Sequence, residues 1–455
     1  MARFIKKISE AVSGADSSHR KIAVSFLWIS FFVFIGKFAG AAKEMAIAWR
    51  YGVSSTVDAY VFLFNLMSWP VAVWFSILTI VIVPLVSKLR KDDSSALISF
   101  KSELFGFSIL MGVVLSVGAW LVTPYLLRSD FLGLSEEVKG RALDMASPMS
   151  LKITLGYVIS LFSAWLMAHG KHRNTLLEAL PALTIFFFLL VPPGVIPEPL
   201  VWGTVAGLAM QLCSLALPLK NLNQLSSPSF SFRSPAWKAF WFGISVMAIG
   251  QTMTSLTTLV DQFFAADLGV GAISTLSYSN RILALISGMG AMAISRATLP
   301  VFSEARAAGN LHVASVAFKW AFIMFVGASI VALIVWMNSS SFVSIIYQRG
   351  AFTEGDTHRV AAVLELSMLQ VPFYCAALVL VALLGSGRHY PLIALSGAAN
   401  LVFKVIFATL LVKEYQLSGL VMSTVLMYVV SLIQLAASVL WITSRERKST
   451  GVNGV

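Results

Sequence analysis

Charge is what this sequence has least of. Asp, Glu, Lys and Arg make up 12% of its 455 residues, 58% are hydrophobic and the mean hydropathy is +0.82. A water-soluble domain carries about a quarter charged residues, so a soluble globular chain is excluded. Cysteine is nearly absent: Cys213 and Cys375 both sit inside apolar runs, which excludes a disulfide framework and makes them packing residues. The six histidines, His19, His169, His172, His312, His358 and His389, fall between apolar runs with no metal-ligand spacing and no cysteine partner, so no metal site is expected. No P-loop is present, and the chain does not itself hydrolyse ATP. No cofactor is implied. The apolar run from Ile22 is too long for a signal-peptide core and no A-x-A-like site follows it, so it is expected to be the first span.

What is there instead is a series of apolar runs of about twenty residues, each long enough to cross a ~30 Å hydrocarbon core as a helix. The runs are 22–42, 57–87, 104–127, 146–168, 174–192, 199–219, 237–266, 272–303, 313–337, 359–385, 390–412 and 417–443. The fold expected is an all-α integral membrane protein of about twelve transmembrane helices. Breaker residues such as Pro192-Pro193-Gly194 punctuate the connections, and the longest, 220–236, is Ser/Pro-rich and divides the chain nearly in half. The organisation expected is an N-terminal segment 1–21, a six-helix bundle 22–219, a linker 220–236, a second six-helix bundle 237–443 and a tail 444–455.

Basic residues distribute unevenly between the two sides. With the N-terminus cytoplasmic, that side holds Arg3, Lys6, Lys7, Arg20, Lys21, Lys88, Arg90, Lys91, Lys101, Lys171, Arg173, Lys220, Arg233 and Arg445, among others. The opposite loops hold far fewer and are richer in acid. By the positive-inside rule both termini are cytoplasmic in a bacterial inner membrane. The net charge of +12 therefore sets orientation and gives no reason to expect nucleic acid.

Charges inside the spans need a further reason, because a lysine at mid-bilayer costs roughly 2.5–3.5 kcal/mol on insertion scales. Arg296 and Glu178 lie near helix ends and are expected to snorkel. Lys37, Lys152, Asp261, Arg281, Glu365 and Lys404 are expected to line one polar cavity that opens away from the cytoplasm. Arg281 is roughly 13 Å along its helix at 1.5 Å per residue, too deep to snorkel. The competing structural assignment is permanent pairing of the cations with Glu44, Asp58 or Glu365. Gly36-x-x-x-Gly40 beside Lys37 permits close helix approach or bending.

The halves repeat. Gly52-Val53 is followed after 32 residues by Pro84, in Pro84-Leu85-Val86-Ser87, and Gly269-Val270 after 31 by Pro300, in Pro300-Val301-Phe302-Ser303. Each pair brackets a long helix. Six helices separate the copies, so they share an orientation and the bundles are expected to be related by a pseudo-twofold axis along the membrane normal.

Three patches carry a resemblance. The first has two basic residues six apart, a glycine and an Asp-Ala-aromatic: Lys37, Lys43, Gly52 and Asp58-Ala59-Tyr60. The second is Val260-Asp261-Gln262-Phe263-Phe264-Ala265 with Ser277-Tyr278-Ser279-Asn280-Arg281 and Pro300. The third is Tyr347-Gln348-Arg349-Gly350-Ala351-Phe352-Thr353-Glu354 with Asp356-Thr357. Together they resemble the MurJ/MviN family of lipid-linked oligosaccharide flippases, within the multidrug/oligosaccharidyl-lipid/polysaccharide exporter superfamily. The family usually has arginines where Lys37 and Lys43 stand, and an arginine pair where this chain reads Val71-Ala72-Val73-Trp74-Phe75. It also has two further C-terminal helices, where this chain ends in Arg445-Glu446-Arg447-Lys448 and a short polar tail.

The resemblance implies an alternating-access flippase that moves a polyprenyl-pyrophosphate-linked saccharide from the inner to the outer leaflet. Lys37, Lys43, Asp58 and Arg281 would bind it, among membrane lipids and alongside polysaccharide or cell-wall synthesis proteins. It also implies a coupling group. Family members can place an Asn-x-x-x-Asp pair opposite the seventh-helix aspartate, suited to a monovalent cation; here the positions are Asp261, Asn400 and Lys404, and the lysine ammonium is expected to stand where the ion would. The alternatives are a non-transporting scaffold for a polysaccharide assembly complex and an exporter of amphipathic small molecules. A membrane glycosyltransferase would need a larger extramembrane loop with paired acids than 128–145 supplies, so no enzyme is expected.

Overall fold

The computed structural model describes residues 35–92, 94–168, 177–222, 224–307, 313–387 and 389–449. Segment 1–21, the beginning of the first span (22–34), residues 169–176 and 308–312, and the tail from 450 lie outside the described residues, as do Asp93, Asn223 and Arg388.

Among the described residues every regular element is helical. In chain order they are α1 (35–51), α2 (Ser55–Asp92), α3 (Ser94–Arg128), a 3-10 turn (Asp130–Leu132), α4 (Glu136–Ala168), α5 (Leu180–Leu190), α6 (Pro199–Asn221), α7 (Ala236–Ala266) and α8 (Ala272–Ala307). Then follow α9 (Val313–Met337), α10 (Ser339–Tyr347), α11 (Glu354–Met368), α12 (Val371–Ser386) and α13 (Tyr390–Ser449). Six of these are long and apolar enough to cross a membrane, or seven with α11 and α12 taken as one bent span. Lipid, not a protein core, receives much of this apolar surface. The apolar window of α9 is only 17% buried, with Phe322, Ile330, Leu333 and Trp336 outward, whereas that of α4 is 72% buried.

Every predicted span meets a helix within the described residues, with two departures. The span expected at 359–385 is two helices, α11 and α12, bent by 40° at Leu369–Gln370. Pro372, the second residue of α12, stands in its first turn, where a missing N–H costs nothing. The connection expected before 359 is already helical. Thr353 opens α11 with a reciprocal cap: its Oγ1 accepts from Asp356 N at 3.2 Å while Asp356 Oδ2 accepts from Thr353 N at 2.9 Å. Upstream lies the short α10.

The last two predicted spans form the 60-residue α13, broken at Gln416 (φ 48°, ψ −126°). Its contacts nest around that corner, Lys404 with Ser423 and Asn400 with Ser431, the pattern of an antiparallel helical hairpin. The sequence repeat has a backbone counterpart: α2 and α8, 38 and 36 residues long, each follow a glycine in the left-handed region, Gly52 at φ 58° and Gly269 at φ 88°.

The chain divides into two compact units. Unit 1 comprises Met1–Ala46, Leu78–Ser116 and Leu151–Phe240; unit 2 comprises Ile47–Ile77, Val117–Ser150 and Trp241–Val455. In unit 1, α5 packs on α6 through Gly207, where a Cβ would lie 2.6 Å from Pro181 Cα. In unit 2, α8 packs on α12 and α11, and α12 on α13.

Candidate functional site

The basic residues of the first patch ride on α1. Positions six apart on a helix are rotated by about 120° at 3.6 residues per turn, and Lys37 and Lys43 differ accordingly: Lys37 is exposed, Lys43 is buried. Lys43 Nζ lies 2.7 Å from Glu44 Oε1, and the buried Lys152 of α4 is close enough to feel the Lys43 charge. Unit 1 thus brings the buried Lys152 near Lys43, which itself pairs with Glu44. Neighbours i and i+1 do not face each other on a helix, so only the length of the two side chains lets Lys43 reach Glu44. Among the described residues no atom lies within 4 Å of a Cβ added at Gly36 or Gly40, so neither makes a close approach to a described helix.

Arg281 belongs to unit 2 and is exposed on α8, one turn beyond Tyr278. Asp58 is also in unit 2, is 1% exposed, and has both oxygens engaged by the start of α8: Oδ2 accepts from Gly271 N and Oδ1 from Ser274 N at 2.7 Å. A carboxylate at a helix N-terminus satisfies otherwise orphaned N–H groups and complements the helix dipole. Asp58 therefore ties α2 to α8 here.

Around it parts of the three sequence patches that belong to unit 2 converge. Gly52 O accepts from Tyr278 Oη at 3.0 Å, and Ala351 N donates to Trp49 O at 2.8 Å. The rings of Tyr278, Tyr347 and Phe352 pack with centroids 4.9–5.7 Å apart. Sequence reading identified these patches separately but had no signal that they form one junction.

The second predicted group comes together in part. Lys404 Nζ is 0% exposed and lies 2.6 Å from Asp261 Oδ1. It also donates to Leu420 O at 3.1 Å, to Ser423 Oγ at 2.8 Å and to Thr424 Oγ1. Four oxygens surround one ammonium. The three contributed by 420–424 were missed in sequence, since nothing in an apolar run reveals that a hairpin returns them to Lys404. Asn400 is not among them: its Nδ2 donates to Ser431 Oγ at 3.1 Å, and its buried Oδ1 has no hydrogen-bond partner among the described residues.

Such charge groups on apolar helices suit recognition of an ionic cargo within a membrane, and known proteins resemble the chain in sequence and fold. A probable lipid II flippase MurJ of Thermotoga maritima is 27% identical over 396 residues, covering 85% of this chain and 76% of that one. One of Buchnera aphidicola subsp. Baizongia pistaciae is 22% identical over 353 residues, 76% and 69% of the two chains. Among solved structures, lipid II flippase MurJ in an inward closed conformation superposes with a TM-score of 0.79 at 18% identity, covering 91% of this chain and 87% of that one. An inward-facing multidrug resistance MATE transporter of the MOP superfamily gives 0.75 at 13% identity, covering 91% and 96%. The family model of lipid II flippase MurJ matches residues 47–451. The chain therefore belongs to the lipid II flippase MurJ family, a family of multi-pass transporters of the bacterial inner membrane.

Proposed function

We propose that this protein moves a polyprenyl-pyrophosphate-linked saccharide of the lipid II type from the inner to the outer leaflet by alternating access of the bundles 22–219 and 237–443, with both termini cytoplasmic. The observation that carries the reading is the placement of basic side chains on apolar helices, Lys37 and Lys43 in one unit and Arg281 in the other. A pyrophosphate brings about two negative charges into hydrocarbon, and cations offset them far more strongly there than at a hydrated surface. Asp58, occupied by Gly271 and Ser274, serves the junction in this state and is free for cargo only if that junction opens.

Depletion of the protein in cells should trap lipid-linked precursor in the inner leaflet, read by a leaflet-accessibility assay. Arg281→Ala and Lys43→Ala, at matched expression, should fail to relieve it. Precursor reaching the outer leaflet normally after depletion, while a cell-wall synthesis complex falls apart, would establish the scaffold reading instead.

The Lys404 group supports transport without sodium coupling at this site. A second monovalent cation about 4 Å from the ammonium is repelled by about 4 kcal/mol at an effective dielectric of 20, a thousandfold loss of affinity in round terms. Replacing sodium with potassium in a reconstituted assay should therefore leave the wild-type rate unchanged. Lys404→Asp, which puts a second carboxylate among the same oxygens, should make the rate depend on sodium. A variant indifferent to sodium would refute this assignment.

A further inference from the structure

The Ser/Pro-rich connection 220–236 has the composition of a slack tether, yet its described residues are held along α3. Ser229 N donates to Ser102 O at 2.9 Å. Gly106, one turn on, has the Ser229 carbonyl oxygen where any other residue would carry its Cβ. Between them stands Glu103, only 3% exposed. Its Oε1 accepts from Ser231 Oγ at 2.5 Å and Arg233 N at 2.9 Å, and its Oε2 from Ser234 N at 3.0 Å and Trp237 Nε1 at 2.7 Å. Two main-chain and two side-chain donors converge on one carboxylate.

The rings of Phe100, Phe107, Phe232, Trp237 and Phe240 close around these bonds, with centroids 5.3–6.1 Å apart. Phe232 holds φ 53°, a conformation that an L side chain keeps only where its surroundings over-determine it. Compact unit 1 accordingly runs through this segment and ends at Phe240.

We propose that Glu103 is a positioning residue that clasps residues 224–237 to α3 and keeps them closed throughout the transport cycle, so that the mid-chain connection is a fixed strap and not a hinge. The carboxylate suits this because it only accepts: all four donors point inward and none competes. In Glu103→Gln the amide nitrogen meets one pair of donors head-on.

Two measurements test the proposal; the first and the lipid II arm of the second rest on the flippase reading, while the comparison of Glu103→Gln with wild type does not. In a Cys213→Ala background, Ser102→Cys and Ser229→Cys joined by a short, reducible thiol cross-linker should transport lipid II in liposomes at the rate of the uncrosslinked pair. Transport that stops on cross-linking and returns on reduction overturns the proposal. The second follows tryptic cleavage after Arg233 in detergent. Glu103→Gln should raise its rate about tenfold through loss of charge-assisted bonds, and wild-type cleavage should be equally slow with and without added lipid II. Unchanged cleavage in Glu103→Gln, or wild-type cleavage accelerated by lipid II, overturns the clasp. Should Glu103→Gln fail to fold, the cross-linked pair, which keeps Glu103, still decides. If the uncrosslinked pair and its parent both move no lipid II, the transport reading fails while cleavage still decides the clasp.

Discussion

Lys404→Met should destabilise the protein by about 3–5 kcal/mol, the usual cost of stripping one partner from a buried ion pair. The reason is geometric. Lys404 is 0% exposed, and its ammonium is the partner at 2.6 Å of Asp261, whose side chain is only 19% exposed. Without that ammonium the carboxylate lies among apolar helices, and the oxygens of Leu420, Ser423 and Thr424 lose a common donor. Thermal loss of the monodisperse peak of detergent-solubilised protein reads this directly. The double variant Lys404→Met/Asp261→Leu should recover most of the loss, because removing both charges also removes their desolvation cost. If Lys404→Met melts with the wild type, the pair is not the buried contact described.

Gly52→Val should open the junction between the starts of α2 and α8 without unfolding the chain. Gly52 has φ 58°, a region that a β-branched residue essentially never occupies, and its added Cβ would overlap the Ala351 carbonyl. Strain of this kind costs about 1–3 kcal/mol and the overlap adds to it, so local opening should become roughly a hundredfold more frequent. Hydrogen exchange at the amides of Gly271, Ser274 and Ala351 should accelerate accordingly, while amides of α4 stay protected. Asp58→Ala, which leaves two N–H groups without an acceptor at about 1–3 kcal/mol each, should accelerate Gly271 and Ser274 but spare Ala351. Equal protection of all three amides in Gly52→Val and wild type would remove the junction as a structural unit.

The spans were legible because hydropathy and length need no tertiary information. The exceptions have local causes. Pro372 marked a fresh helix start inside 359–385, and Thr353 with Asp356 marked another before it, but both signals sit within or beside an apolar run long enough to read as one span. Asp261 and Lys404 were paired from the family pattern; their separation of 143 residues lies far beyond any periodicity.

Asp58 shows what a sequence leaves ambiguous. An acid near basic residues reads as part of a charged site, and only the approach of Gly271 and Ser274 reveals a helix cap. Glu103, two residues from Lys101, belongs to no motif or spacing that marks a role in the sequence. Its four donors come from residues 128 to 134 positions later, in a segment whose serines and prolines announced only a loop.

The strap also bears on the order in which the protein is made. Chains emerge at about 5–20 residues per second and domains fold largely as units. Every residue of unit 1 lies before Trp241, so once the strap residues have been synthesised that unit has all its parts. Unit 2 must instead hold Ile47–Ile77 and Val117–Ser150 in waiting until Trp241–Val455 arrive, and its closing contacts, such as Asp58 with Gly271, bridge more than 200 residues. Ribosome-bound chains long enough to carry Phe240 clear of the exit tunnel should already protect Arg233 from trypsin, while α1 and α2 still lack the neighbours that complete their junction.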